Sequence, residues 1–145
     1  MKFRLELTIN RPQTEVWTLF MKSESLNKWQ PTLIKTEPLS GTPGQPGTVT
    51  KLTYEENGRE FSLTEKILLR EESDRIDQLY ENQFSENITR NTFTGENENQ
   101  TLWIVENEFK FKTLIMRVLG SLMKKNFIAR TQKDMDRFKE LAESG

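Results

Sequence analysis

Phe3, Leu5, Leu7 and Ile9 alternate with Lys2, Arg4, Glu6 and Thr8, and this period of two predicts a half-buried strand. Asn10-Arg11-Pro12 turns the chain. Pro12 suits the first turn of a helix, and Val16, Trp17 and Phe20 follow at helical spacing. Ser23 is expected to cap a short second helix through Leu26 towards Trp29. Pro31 closes it, because the residue before a proline disfavours helix. From there the pattern is almost entirely β. A short strand at Leu33 and Ile34 ends at Pro38, and a Pro- and Gly-rich loop covers residues 40–47. Strands are predicted over residues 48–55, 59–70, 75–85, 88–94 and 100–112, with polar turns at 71–74 and 95–99. Asn57-Gly58, lying between two alternating segments, predicts a tight hairpin.

The last segment switches to a period of 3.6. Ile115, Val118, Leu119, Leu122, Ile128, Met135, Phe138 and Leu141 form an apolar stripe, with Lys124, Lys125, Arg130, Lys133, Arg137 and Lys139 on the other side. That pattern predicts one long amphipathic helix lying on an apolar surface. The class is therefore α+β: a curved antiparallel β-sheet wrapped around a long C-terminal α-helix, with two short helices after the first strand. A sheet with one solvated face must cover the other, and the terminal helix is the element long enough to do so. No repeat or linker interrupts the chain, so one domain over residues 1–145 is expected.

Charge and composition narrow the functional classes. A net charge of -1 argues against a dedicated nucleic-acid binder. No stretch approaches the roughly 18 apolar residues that would span a bilayer, and the chain opens without an apolar signal region, so a cytoplasmic protein with no integral membrane association is expected. The chain has no Cys and no His. Thiolate nucleophiles, Ser-His-Asp triads and His- or Cys-ligated metals are thereby removed, and no metal or cofactor is expected.

Alternation also assigns faces to the strands. Trp103, Val105, Asn107, Phe109 and Phe111 point inward, as do Ile76, Gln78, Tyr80, Asn82 and Phe84. Leu52 and Tyr54 share that face with Phe61, Leu63, Ile67 and Leu69; Phe93 inside brings Thr89 and Asn91 with it and puts Arg90 outside. Neutral hydrogen-bonding groups thus recur along otherwise apolar rows. A tightly packed core seldom takes so many, since each one left unpaired costs about 1–3 kcal/mol. A cavity holding water or a polar-tipped ligand accommodates them; strand ends and backbone pairing are the plainer explanation. On the terminal helix Met116, Gly120, Met123 and Phe127 lie beside the main stripe, where Met adapts to varied partners and Gly120 permits a close approach. Ordinary core packing with a slight kink at Gly120 is the alternative. Glu65 falls in the inward row of the fourth strand. A bulge or twist turning it to solvent is the preferred reading; buried, it would have a raised pKa and serve as a general acid or base. The basic side of the terminal helix reads as a solvated face, with contact to anionic lipid headgroups as the lesser alternative.

Pro12 with Val16-Trp17 and Phe20, then Trp29-Gln30-Pro31, the loop ending at Gly47-Thr48, and Glu108-Phe109 leading through a bend into the terminal helix together resemble the START, polyketide-cyclase and pollen-allergen-like (SRPBCC) superfamily. The resemblance covers essentially the whole chain and implies a helix-grip fold with a deep cavity between sheet and helix. It also implies a range of functions: lipid carriage, hormone or isoprenoid binding, aromatic polyketide cyclisation, and co-chaperone activity. The leading expectation is a non-catalytic binder or carrier of a small hydrophobic or amphipathic molecule. A cyclase or dehydratase using Glu65, Tyr54 or Tyr80 is the first rival. The second is a protein-binding module with a closed interior and an exposed apolar patch of several hundred Å², for which an exposed Trp17 or Trp29 would be the sign, although both suit structural packing around the short helices. The oligomeric state, a homodimer included, is left open.

Overall fold

The structure is a computed structural model that describes residues 1–145. Its strands are β1 (Lys2–Ile9), β2 (Leu33–Ser40), β3 (Val49–Glu56), β4 (Arg59–Glu71), β5 (Arg75–Glu81), β6 (Ser85–Asn97) and β7 (Gln100–Phe111). Its α-helices are α1 (Gln13–Phe20), α2 (Leu26–Trp29), α3 (Leu114–Leu122) and α4 (Lys124–Ser144). The strands form one curved antiparallel sheet in the order β1-β7-β6-β5-β4-β3-β2. Strands β1 and β2 therefore lie at opposite edges, and α1 and α2 carry the chain across from one to the other.

Helix α4 grips the concave face through its C-terminal half. Phe138 and Met135 are fully buried and Ala142 nearly so. Phe138 stacks edge-on against Trp29, Trp103 and Phe20 at centroid separations of 5.2, 5.1 and 5.8 Å. The end of α4 is also tied to the first turn of the chain. Arg11 donates through Nε to the Ala142 carbonyl at 3.1 Å and through Nη2 to that of Glu143 at 2.8 Å, satisfying carbonyls that have no partner within the helix and complementing its dipole. The convex face is polar: Glu108 and Asp77 accept ion pairs from Arg90, and Arg75 adds a further pair to Asp77.

One sequence expectation holds and several others change. The Asn57-Gly58 hairpin forms, with φ of 53° and 76° at the two positions, the left-handed pair that a tight hairpin requires. The predicted strand over 75–85 ends earlier, at Glu81. Asn82 Oδ1 accepts from the backbone N–H of Phe84 at 2.8 Å and of Ser85 at 3.0 Å, an Asx turn in which the side chain imitates backbone. Strand β2 passes through Pro38, which an edge strand tolerates because its outer side needs no donor. Pro12 stands just before α1 rather than within it, and Ser23 makes no side-chain cap.

Two corrections bear on the site. In β4 the register shifts between Ile67 and Leu69, and this bulge reverses the faces beyond it. Leu69 comes opposite Asp77, on the outer side, while Arg70 comes opposite Ile76 on the inner side, its guanidinium 5.8 Å from the centre of the Trp17 ring. The terminal helix is also not continuous: it breaks at Met123 into α3 and α4. The break follows a Gly120-Ser121 pair, and Ser121 Oγ donates to the Arg117 carbonyl one turn back, both recognised causes of helix bending. As a result Ile115, Val118, Leu119 and Leu122 are exposed, and the buried part of the stripe begins in α4.

Candidate functional site

Between the concave face of β3–β7 and helices α3 and α4 lies a cavity of about 450 Å³, within the usual range for small-molecule sites of roughly 300–1,000 Å³. Phe20, Trp29, Trp103 and Met135 form its floor, where it meets the packed core. Phe61, Phe84, Leu119 and Met123 line it and are also exposed, so the mouth opens between the β3–β4 hairpin, the β5–β6 turn and α3.

Strand register sets the cavity's polarity. Gln78 of β5 lies opposite Thr89 of β6, which lies opposite Asn107 of β7; one step along, Glu65, Tyr80, Asn87 and Phe109 make the next row. Asn107 Oδ1 accepts from Thr89 Oγ1 at 2.8 Å and from Asn87 Nδ2 at 3.2 Å. Trp103 Nε1 donates to Asn91 Oδ1 at 2.9 Å, closing the floor. Three buried polar atoms on the lining have no protein partner: Trp29 Nε1, Gln78 Oε1 and Asn87 Oδ1. One donor and two acceptors of lining residues are therefore buried without a partner.

Burial perturbs the titratable groups here. It pushes the Asp134 carboxyl up to about 6 against the pull of Arg137 and Arg130. Glu65 is raised chiefly by burial, which outweighs the lowering influence of Tyr80 and Gln78. Tyr54 and Tyr80 are raised by burial and by the neighbouring Glu65, so both hydroxyls stay protonated and can donate. The Tyr54 hydroxyl reaches Gln30 Oε1 at 3.3 Å. No group of three or more carboxylates comes together that could hold a metal ion.

Of the sequence-predicted site residues, Tyr54, Gln78, Tyr80, Asn82, Trp103, Asn107, Phe109, Met116, Gly120, Met123 and Phe127 lie on the cavity wall. Leu52 and Phe93 do not. Both are fully buried, and Phe93 packs among Trp17, Phe20 and Trp103 in the core. Asn82 stands at the end of the wall with its carbonyl oxygen committed to its turn. Glu65 departs from the preferred expectation: the bulge comes only after Ile67, so Glu65 keeps the inward face opposite Tyr80. Trp17 and Trp29 are both buried, as packing around the short helices predicts, and the exposed apolar side chains gather on α3 instead.

Gly120 has a more specific role than expected. A Cβ placed there would overlap the Phe111 ring, so the glycine accommodates that ring rather than a ligand or backbone. Gly120→Ala should therefore destabilise the protein by about 1–2 kcal/mol through overpacking. In a Phe111→Ala background the same change should stabilise by up to about 1 kcal/mol, since helix propensity alone remains. Denaturant melts of the four proteins in this cycle test the coupling; equal effects in both backgrounds would remove it.

Sequence reasoning missed Asp134, Arg130, Thr131, Asn87 and the floor residue Trp29 as cavity groups. A signal for Asp134 existed. Gly120, Phe127 and Asp134 are spaced by seven, so extending the Met116–Phe127 face by two turns reaches it.

Known proteins of the same shape fall into distinct functional groups. The structure superposes on that of Ara h 8.0201 with a TM-score of 0.77 and 18% identity, covering 100% of this chain and 99% of the other. For the Zhui aromatase/cyclase from a Streptomyces species the TM-score is 0.78 at 14% identity, over 99% and 93% of the two chains. For norcoclaurine synthase from Thalictrum flavum, solved with dopamine and hydroxybenzaldehyde, it is 0.74 at 14% identity, over 99% and 87%. At these identities the likeness establishes the fold alone. No curated protein matches the chain in sequence. The family model described as "Polyketide cyclase / dehydrase and lipid transport" matches residues 1–143. The chain belongs to that family, and so to the START, polyketide-cyclase and pollen-allergen-like superfamily its sequence resembles.

Proposed function

We propose that this member of the polyketide cyclase/dehydrase and lipid transport family binds an uncharged, amphipathic small molecule in the cavity between sheet and helices. The observation that carries this reading is the pairing of an apolar, aromatic- and Met-lined space of about 450 Å³ with three unpaired polar atoms on residues of its wall. Apolar burial supplies affinity. Trp29 Nε1, Gln78 Oε1 and Asn87 Oδ1 offer one donor and two acceptors to a ligand hydroxyl, carbonyl or amide, which recovers the roughly 1–3 kcal/mol each forfeits when left alone. A rigid aromatic or polycyclic body with oxygen substituents fits this lining.

The neutral aromatic probe 1-aminoanthracene tests it. Saturable binding with one site per chain is expected. Thr131→Phe, which fills the cavity from α4, should weaken that binding at least about tenfold while leaving the fold intact. Absence of saturable binding, together with a native mass spectrum of the purified protein free of any adduct, would count against the reading.

A second reading has its own observation. Asp134 lines the cavity and Glu65 stands opposite Tyr80, which lines it too; both carboxyls are raised by burial. Near neutral pH, Asp134 takes a proton beside a ligand carbonyl while the protonated Tyr80 donates to the oxygen. That is the division of labour a cyclisation with loss of water needs. Asp134→Asn should then abolish turnover of a polyketone while leaving probe affinity unchanged. Retained turnover would leave binding alone.

A further inference from the structure

Six of the eleven exposed large apolar side chains belong to the ten residues from Leu114 to Met123, with Leu122, Leu114 and Ile115 exposed by 77%, 71% and 70%. Within α3 only Arg117 and Ser121 are polar. A helix apolar on nearly all sides is ordinarily buried, yet in α3 only Met116 and Gly120 are not exposed, Leu119 sits at the cavity mouth, and most of the remaining apolar surface has no partner in the fold. Charge supplies the second observation. Between Lys110 and Lys133 there are seven basic residues and no acid, in a chain whose net charge is -1. Lys112 is paired with Glu81 and Arg130 with Glu56. Arg117, Lys124 and Lys125 are exposed and make no ion pair.

We infer that α3 docks the protein on an anionic phospholipid bilayer, laying Ile115, Leu119 and Leu122 into the boundary between headgroups and acyl chains. Arg117, Lys124 and Lys125 then lie at headgroup level, the arrangement that lets short amphipathic helices rest in the plane of a membrane surface. A second copy of the chain fits the same face less well. A symmetric contact through α3 would set this acid-free basic stretch against itself, and like charges across an interface oppose association. Docking in this orientation also turns the cavity mouth to the bilayer, because Leu119 and Met123 belong both to the exposed face and to the rim. The docking itself does not depend on what the cavity holds.

Flotation with phosphatidylcholine vesicles, with and without phosphatidylserine, tests the inference on the full chain. The protein should float with the serine-containing vesicles, much less with choline alone, and release as salt is raised. Ile115→Ser with Leu122→Ser should lower the partition coefficient at least about tenfold. Lys124→Glu with Lys125→Glu should lower it by a similar factor, on the anionic vesicles only. Both pairs should leave the melting temperature unchanged, since all four side chains are already in water. Three results would overturn the inference: no flotation of the wild type, flotation unaffected by either pair, or a wild-type dimer that the Ile115→Ser, Leu122→Ser variant dissociates.

Discussion

Replacing Phe138 with alanine is expected to remove about 3–5 kcal/mol of stability, the largest effect of any single side chain considered. Phe138 is fully buried and touches Trp29, Trp103 and Phe20, each within 6 Å between ring centres. Truncation forfeits the transfer of the ring from water, the edge-to-face contacts and the packing of the void left behind. A domain of this kind is stable by only about 5–15 kcal/mol, so a fifth or more of the total depends on this residue. The loss should fall on one connection, because Phe138 joins α4 to the aromatic floor formed by α1, α2, β6 and β7. Urea melts should show a lower midpoint with an unchanged slope. Leu122→Ala, on the exposed face of α3, should change stability by less than about 0.5 kcal/mol. A Phe138→Ala loss below about 1 kcal/mol would mean that this cluster does not fasten the helix to the sheet.

Asp134→Asn is expected to stabilise the protein near neutral pH and to have no effect in acid. Burial raises the Asp134 carboxyl from 3.8 to about 6, so the native state holds its proton more tightly than the unfolded chain does. Below about pH 4 both states are protonated and the site costs nothing. As pH rises from about 4 to 6 the unfolded chain ionises first and stability falls, and above about 6 the full penalty applies. Two pH units correspond to about 3 kcal/mol. About a quarter of the side chain meets solvent and Arg137 pairs with it at 3.0 Å, so the expected gain from the neutral isostere is nearer 1–2 kcal/mol at pH 7–8. Thermal melts of both proteins across pH 3–8 should converge in acid and separate above about pH 5. A constant difference would show that burial and the bridge to Arg137 cancel, and a variant less stable at about pH 8 than in acid would show that the bridge outweighs the burial.

The strand faces were legible wherever alternation ran unbroken. Trp103, Val105 and Asn107 turn inward together as β7 predicts, and Arg90 turns outward to Asp77 and Glu108. Errors arose where one residue changed the parity or one side chain replaced backbone. The bulge at Leu68 sends Arg70 in and Leu69 out, and the turn at Asn82 ends a strand whose apolar pattern continues to Phe84. Neither leaves a periodicity signal, because each is settled by hydrogen bonds to another strand or to the local backbone.

What the amino-acid sequence determined by itself was the class of fold, the inward identity of most wall residues, and the mixture of aromatic, Met and neutral polar groups that a cavity requires. These follow from side-chain period and burial preference, which act residue by residue along the chain. Only the tertiary structure decided that Gln78, Thr89 and Asn107 stand side by side, and that Glu65 faces Tyr80. It alone set Asp134 on the wall, Phe93 in the core and the apolar side of α3 in water. Register and helix placement come from pairings between residues distant in sequence, and their free energies belong to the assembled sheet and helix rather than to any local stretch of chain.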